Sequence, residues 1–400
     1  VKAKEWLGSR ATQLADDPGA IAWMILVAIV YGAATFVRSQ ASDFGTDHMM
    51  SLAANLLSGR SDLRADQLTT INDIVTLNGR TYQAMSLLPT VPYLPLAPFG
   101  FLWPFSRWIV SAVIGIMAGW LALPLARRYG PGGSADYWLA GLGAFGTLLF
   151  TLTIEGNFYY LAHLEATLLI FLSLIEWHDR RRPWLLGLLI GLMALARPTL
   201  ILVAVPFGLA LLIEGKDRLK IAVAFSVPIL AAVAVTGWWD WVRFGSPLET
   251  GYAIAWITTP LDNLRFQGLF STTHLPPNLA LFLGGGYGVR DDFPWLVPSN
   301  QGHSILLTTP AILIAFGAGL RDRMNQVLWA SVIVTAVPVF LYYGGGGANT
   351  YGYRYAMDFV PFLVVLVAIA LKERFGNLER ILIGLSVFFV CYGYIWQVYK

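Results

Sequence analysis

Residues Ser42 to Leu57 read SDFGTDHMMSLAANLL, a stretch that follows the first long apolar run and holds two carboxylates and a histidine. Met49, Leu52, Ala53, Leu56 and Leu57 recur at i, i+3, i+4, i+7 and i+8, one face of a helix, with Asp47, Ser51, Asn55 and Ser58 opposite. Gly45 or Thr46 can cap such a helix. An amphipathic helix placed directly after a spanning segment lies along the membrane surface. The chain therefore reads as an all-α polytopic membrane protein whose acids stand at the far surface. Asp47 falls in the first helical turn, where the helix dipole favours the ionised form and keeps it available as a base. The same position serves equally as the plain cap of a peripheral helix.

Upstream, the apolar run from Gly19 to Val37 follows Lys2, Lys4 and Arg10 and precedes Ser39-Gln40-Ala41. It is long for a cleaved leader and reads as a retained first helix. Composition agrees: the 400 residues are 56% hydrophobic and 13% charged, against roughly 25% charged in soluble domains. A net charge of +3, with no basic patch interleaved with aromatics, gives no sign of a nucleic-acid partner. The lone Cys391 excludes an internal disulfide and a cysteine metal cluster. HExxH, CxxC, GxSxG and Walker patterns do not occur. The glycine runs Gly284 to Gly286 and Gly344 to Gly347 lack the strand and helix that flank a phosphate-cradling loop and read as surface loops.

Downstream, Leu88 to Pro104 is apolar but carries Pro89, Pro92, Pro95, Pro98 and Pro104, which predicts a broken segment embedded in the surface. The spans then fall at about 108–126, 137–154, 158–176, 184–196, 199–213, 219–239, 304–320, 327–343, 356–371 and 381–396, eleven with the first. This threading puts 16 of the 27 Lys and Arg residues in short loops on the starting side, among them Arg127, Arg180, Lys216, Arg321 and Arg380. By the positive-inside rule that side is cytoplasmic. The opposite side receives the first outer loop 38–104, polar from Arg38 to Ser86, the second long polar segment 240–303 and the loop Gly344 to Asp358, all within one domain covering 1–400. The thirteen residues Trp184 to Ala196 reach only about 20 Å as a helix, so the pair 184–213 can dip in without crossing.

Several residues on that side can carry chemistry. Asn78-Gly79-Arg80-Thr81-Tyr82 reads as a turn presenting a cation and a ring, or as a plain surface turn. His163 and Glu165 lie about 9 and 12 Å below Asn157 and point 200° apart on the helix. His163 shares its face with Tyr159 and Thr167 and is expected to face a cavity, with Glu165 at a helix contact; a packing histidine fits the same spacing. Arg197, before Pro198, and Arg354, in Gly352-Tyr353-Arg354-Tyr355, can clamp a phosphate with their donor forks or snorkel to lipid headgroups.

Taken together, DFGTDHMMSLAANLLSGRSDL followed by NGRTYQAMSLLPTVPYLPLAP, then GNFYYLAHLEATLL, RRRPWLLGLLIGLMALARPTLIL, FGSPLETGY with SILLTTPAIL, and GYRYAMDFVPFL resemble the GT-C class of membrane glycosyltransferases. Within that class the chain is similar to the protein O-mannosyltransferase and lipid A aminoarabinose transferase group, over nearly its whole length. An Asp-Glu pair is frequent at the acidic position of the class, whereas here Asp47 is followed by His48.

The resemblance implies a polyprenyl-phosphate-sugar donor, an acceptor hydroxyl on a glycolipid, polysaccharide or protein, inversion at the anomeric carbon, and an extracytoplasmic site in a bacterial plasma membrane. It implies a base in the first outer loop, Asp47 before Asp43; the residue inventory fits this chemistry without a cofactor, and no metal-ligand set is assigned. Polyprenyl phosphate is already a good leaving group, so the parts needed are that base and cations for the departing phosphate. Arg354, Arg197 and Arg80 are the expected cations; His48, Tyr82, His163, Glu165 and Tyr353 are expected at the cleft, which Trp256, Phe266, Tyr287 and Trp295 help to shape. A surface-polysaccharide polymerase or ligase would share the lipid-linked donor. A flippase would place its ionisable groups near the midplane instead.

Overall fold

The structure is a computed structural model that describes residues 17–41, 47–68, 73–252, 254, 268–293, 295–299, 301–347, 350–372 and 374–399. Asp43, Gly45, Thr46, Trp256 and Phe266 lie outside the described residues. The chain begins with α1 (Pro18–Gln40), the short α2 (His48–Leu57) and the hairpin β1–β2 (Ile74–Leu77, Arg80–Gln83). Two 3-10 stretches, Leu88–Tyr93 and Gly100–Phe105, lead into α3 (Ser106–Tyr129), α4 (Ser134–Phe145), α5 (Leu148–Glu155) and α6 (Phe158–Asp179). Next come α7 (Pro183–Ala196), the 3-10 stretch Pro198–Val203, α8 (Ala204–Glu214) and α9 (Arg218–Phe244). After α10 (Leu275–Gly284), the hairpin β3–β4 (Tyr287–Val289, Leu296–Pro298) and α11 (Ile305–Thr308), a 3-10 stretch Pro310–Ala318 precedes α12 (Arg323–Leu341). The 3-10 turn Arg354–Asp358, α13 (Val360–Ala370) and α14 (Asn377–Tyr399) complete it.

Among the described residues, six helical segments are long and apolar enough to cross a membrane: α1, Gly100–Tyr129, α6, α9, α12 and α14. The pair α4 and α5, bent by 41°, makes a seventh if it is one span. The protein is thus an integral membrane protein, and the count of eleven spans expected from hydropathy is not confirmed among the described residues. The segments that fall short are broken by proline. The residue before a proline is pushed out of the α region: Arg197 before Pro198 (φ −140°, ψ 103°) is extended, and Thr309 before Pro310 (φ −142°, ψ 63°) also lies outside the α region. Helices α7, Pro198–Glu214 and α13 are consequently short, and 305–318 is one helical turn continued as 3-10.

Ion pairs sort the two ends of the bundle. At one end Arg127 binds Asp17, Arg128 binds Asp179 at 2.7 Å, and Arg181 binds Glu214 at 2.5 Å. The last pair joins the start of α7 to the end of α8, so 183–214 is a hairpin with Arg197 at its apex. Its first arm lies tightly against α9: a Cβ on Gly187 would meet the Phe225 carbonyl oxygen at 2.1 Å, and one on Gly191 would meet Pro228 O at 3.0 Å. Such a small-xxx-small stripe lets two apolar helices approach closely in lipid.

At the opposite end, α2 does not lie on the surface as an amphipathic helix with a wet face. His48 through Ala53 are all buried, Ser51 and Asn55 with them, while Leu57 is exposed. The polar face is satisfied internally: Asn55 Nδ2 donates to Asp62 O and to Gln67 Oε1, both at 2.8 Å. The turn at Asn78-Gly79 closes β1–β2 with left-handed backbone at both residues (φ 52° and 73°), the geometry that matches strand twist in a two-residue hairpin. The all-α expectation therefore holds for the bundle but misses two small hairpins.

Candidate active site

The β1–β2 end of the bundle encloses a cavity of about 270 Å³, the volume of roughly nine waters. Its walls come from the first long loop (Asp73, Ala84 to Leu87), α6 (Tyr159, Ala162, His163), the 183–214 hairpin apex (Ala196 to Thr199) and α9 (Thr236, Trp239, Asp240, Arg243). Thr250, Tyr252, Leu269 and Phe270 of the second long segment, Pro338, Val339 and Tyr342 beside the end of α12, and Arg354, Tyr355 and Asp358 complete it.

One wall is cationic. The proline break holds Arg197 at the apex, where Nε and Nη2 donate to the two oxygens of Asp358 at 2.5 and 2.9 Å. His163 braces both partners, Nε2 lying 3.3 Å from Arg197 Nη1 and Nδ1 3.7 Å from Asp358 Oδ1. Burial would push the Asp358 carboxyl up, but Arg197 and His163 outweigh it and leave the group below its ordinary range. Arg354 donates to Thr350 Oγ1 at 3.0 Å and to the Tyr355 hydroxyl at 3.1 Å. Its stem lies against the backbone of Gly347, where a Cβ would meet Arg354 Nε at 2.5 Å; Gly347 also has φ 97°, so glycine is required twice over. The two guanidiniums lie 5.4 and 4.9 Å from the Tyr355 ring, hence within about 10 Å of each other.

The residues singled out from sequence divide by location. Arg197, Arg354 and His163 line the cavity together. Asp47 does not: it is the N-cap of α2, 3% exposed, with Oδ1 accepting from Met50 N at 2.7 Å and Oδ2 from the Tyr93 hydroxyl at 2.8 Å. Asp47 itself, rather than Gly45 or Thr46, caps the helix. Burial raises its pKa in spite of those donors, opposite to the ionised, base-ready state expected from the helix dipole alone. His48 is sealed with it, Nδ1 2.7 Å from Gln83 Oε1. Glu165 is buried away from the cavity, its Oε2 without a partner among the described residues. Tyr353 packs edge-on against Phe282, Tyr82 against Phe244, and Arg80 is exposed at the start of β2. Tyr287 and Trp295 also stand off the cavity, Tyr287 beside Phe389 and Trp295 beside Phe293.

Sequence reasoning missed Asp73, Trp239, Asp240, Arg243 and Tyr252. A signal existed for three of them: Thr236, Trp239, Asp240 and Arg243 stand at i, i+3, i+4 and i+7, one polar helical stripe. It was cut because the span was ended at 239, whereas α9 runs on to Phe244 and stops at Gly245, left-handed at φ 77°. Asp73 is also left-handed (φ 55°) and its carbonyl accepts from Ala84 N at 2.7 Å. Burial pushes the Tyr252 phenol well above its ordinary value, and the charge of Asp73 adds to that.

Fold and site together define a polytopic helical membrane protein with an arginine-walled, aromatic-lined cavity at one end of the bundle. No protein-family model matches the chain, and no curated protein matches it. Among solved structures it is similar to ArnT from Cupriavidus metallidurans, described as bound to undecaprenyl phosphate, at 12% sequence identity and a TM-score of 0.48. The match covers 89% of this chain and 61% of that one, so the chain spans about three fifths of its neighbour's length.

Proposed function

We propose that the protein is a membrane glycosyltransferase that moves a sugar from a polyprenyl-phosphate donor to an acceptor hydroxyl at the extracytoplasmic face of a bacterial plasma membrane. The observation that carries this reading is the pair Arg197 and Arg354, both beside the Tyr355 ring and lining one cavity that also carries carboxylates. The sequence resemblance to GT-C enzymes points the same way.

In this reading the phosphate sits between the two guanidiniums, whose fixed charge stabilises the negative charge that grows as the sugar–phosphate bond breaks. Arg197 is already oriented by Asp358 and His163, so little reorganisation is needed during transfer. The acceptor hydroxyl attacks the anomeric carbon from the face opposite the phosphate, which inverts the configuration, and a carboxylate takes its proton. Of the described carboxylates in the first loop, Asp73 lines the cavity and Asp47 does not, so the base is assigned to Asp73.

The test is transfer and undecaprenyl-phosphate binding measured on purified protein with Asp73→Asn, Asp47→Asn and Asp43→Asn. Loss of a general base costs typically 10² to 10⁴-fold, and Asp73→Asn is expected to lose that much turnover with binding retained. A dead Asp43→Asn or Asp47→Asn beside an active Asp73→Asn moves the base. Absence of undecaprenyl-phosphate binding by the unaltered protein removes the reading.

A further inference from the structure

The chain around Arg354 rests on the segment before α11 with the two backbones almost in contact. A Cβ on Gly302 would meet Gly352 O at 2.5 Å, and one on Gly346 would meet Gln301 O at 2.6 Å. The supporting segment is itself pinned to the end of α10, because Ser304 N donates to Gly285 O at 2.9 Å and Ser304 Oγ to Leu283 O at 2.8 Å. His303 lies in this contact, fully buried, and its Nδ1 accepts from Gly352 N at 3.3 Å. Two residues further on, Arg354 N donates to Gly346 O at 2.9 Å, so the backbone that carries the guanidinium is set by the same contact.

A backbone N–H can only donate, so the bond to Gly352 exists only while Nδ1 keeps its lone pair. A proton there would set one N–H against another, in a site with nothing to receive it. The groups facing the ring are the phenols of Tyr287 on β3 and of Tyr351, hydrogen-bonded to each other at 2.7 Å, and no charged side chain acts on it among the described residues. Burial pushes the Tyr287 phenol up to about 12, so it stays neutral in acid.

We infer that His303 is a positioning residue for Arg354: as a neutral imidazole it latches the backbone through Gly352, and in acid it takes a proton and releases it, which weakens the hold on lipid phosphate. The inference rests on the proposed function, in which Arg354 holds that phosphate, and adds to it control by pH. Burial lowers the His303 pKa from 6.5 to about 4, whereas a released imidazole returns towards 6.5. The balance between latched and released forms then shifts towards release by about twentyfold from pH 7 to pH 5.

The test titrates undecaprenyl phosphate onto detergent-solubilised protein at pH 7 and pH 5, below the melting temperature at each. The lipid phosphate and His163 titrate alike in every variant, so the readout is the loss of affinity between the two pH values, compared between proteins. His303→Asn places an amide oxygen near the position of Nδ1 and takes no proton, and its loss is expected to be about tenfold smaller than that of the unaltered protein. In an Arg354→Ala background the same substitution is expected to change the loss by less than about twofold, because the latch acts through Arg354; a purely structural role would act alike in both backgrounds. The unaltered protein gives a second reading without lipid. Amide exchange across 350–356, corrected for its intrinsic pH dependence, should rise by about tenfold from pH 7 to pH 5 relative to α3. Equal losses in the unaltered protein and His303→Asn, a His303 effect that survives Arg354→Ala, or unchanged exchange at 350–356 overturns the latch. Failure of the unaltered protein to bind undecaprenyl phosphate at pH 7 removes the functional reading beneath it, and the exchange result separates the two.

Discussion

Arg197 and Arg354 both lie beside the Tyr355 ring but are held by different partners, and this decides how each responds to substitution. Arg354 is bonded to the hydroxyls of Thr350 and Tyr355 and stacked on Tyr160. Lysine keeps the charge and loses the planar fork. Arg354→Lys should therefore weaken undecaprenyl-phosphate binding less than Arg354→Ala, about tenfold against a hundredfold by the worth of charge-assisted hydrogen bonds; titration of lipid phosphate onto detergent-solubilised protein measures both. Equal affinity of all three proteins would leave Arg354 as a headgroup anchor. Asp47→Asn has a different expected signature. Asparagine caps a helix as well as aspartate does, so α2 should persist with at most about 1 kcal/mol lost by thermal unfolding, and transfer should fall far less than in Asp73→Asn. Asp47 was legible as a first-turn acid but not as a sealed one, because its burial depends on Tyr93, 46 residues later.

Among the elements, the loop 344–358 that presents Arg354 is tied down by His303. His303 is fully buried, its Nδ1 accepts from Gly352 N at 3.3 Å, and burial lowers its pKa from 6.5 to about 4. With the folded value below the unfolded one, the unfolded chain binds more protons between those pH values. Stability is then fully present above about 6.5 and falls as the pH drops towards 4, by roughly 3 kcal/mol in all. Unfolding followed at pH 7 and pH 4.5 should show the loss in the unaltered protein and, in His303→Asn, a loss smaller by the His303 share, with other buried groups such as His163 contributing the remainder. Helix ends offer a second contrast. Gly156, between α5 and α6, is left-handed (φ 56°) and a Cβ there would meet the Trp108 ring at 2.1 Å, whereas Gly245 is left-handed with nothing within 4 Å. Gly245→Ala should cost about 1 kcal/mol of backbone strain, and Gly156→Ala clearly more, read from melting temperatures. The β1–β2 hairpin escaped the sequence reading because strands of four residues are too short for alternation to register, although Asn78-Gly79 marked the turn.

For the whole molecule, hydropathy found every apolar segment but could not tell a span from a hairpin arm. That difference lies in single residues before prolines, Arg197 and Thr309, which end helices that composition alone would continue. The sorting of loops to two ends was legible, and ion pairs gather Asp17, Arg127, Arg128, Asp179, Arg181 and Glu214 at one of them. If that end is cytoplasmic, single cysteines at 127, 180 and 321, in a Cys391→Ser background, should resist a membrane-impermeant thiol reagent applied from outside, while a cysteine at the exposed position 60 reacts. Labelling at 180 with protection at 60 would reverse the threading. The hairpin apex also has a history in time. Arg197 and Asp358 are 161 residues apart, and at about 5–20 residues per second the ribosome delivers the aspartate on the order of 8–30 s after the arginine. An arginine at the centre of a membrane helix is penalised by about 2.5–3.5 kcal/mol during insertion, and one at a helix end avoids much of this by reaching to the interface. The nascent hairpin is therefore expected to hold its apex near the interface until Asp358 arrives, which makes its seating, with the cavity wall it completes, a late event of biogenesis.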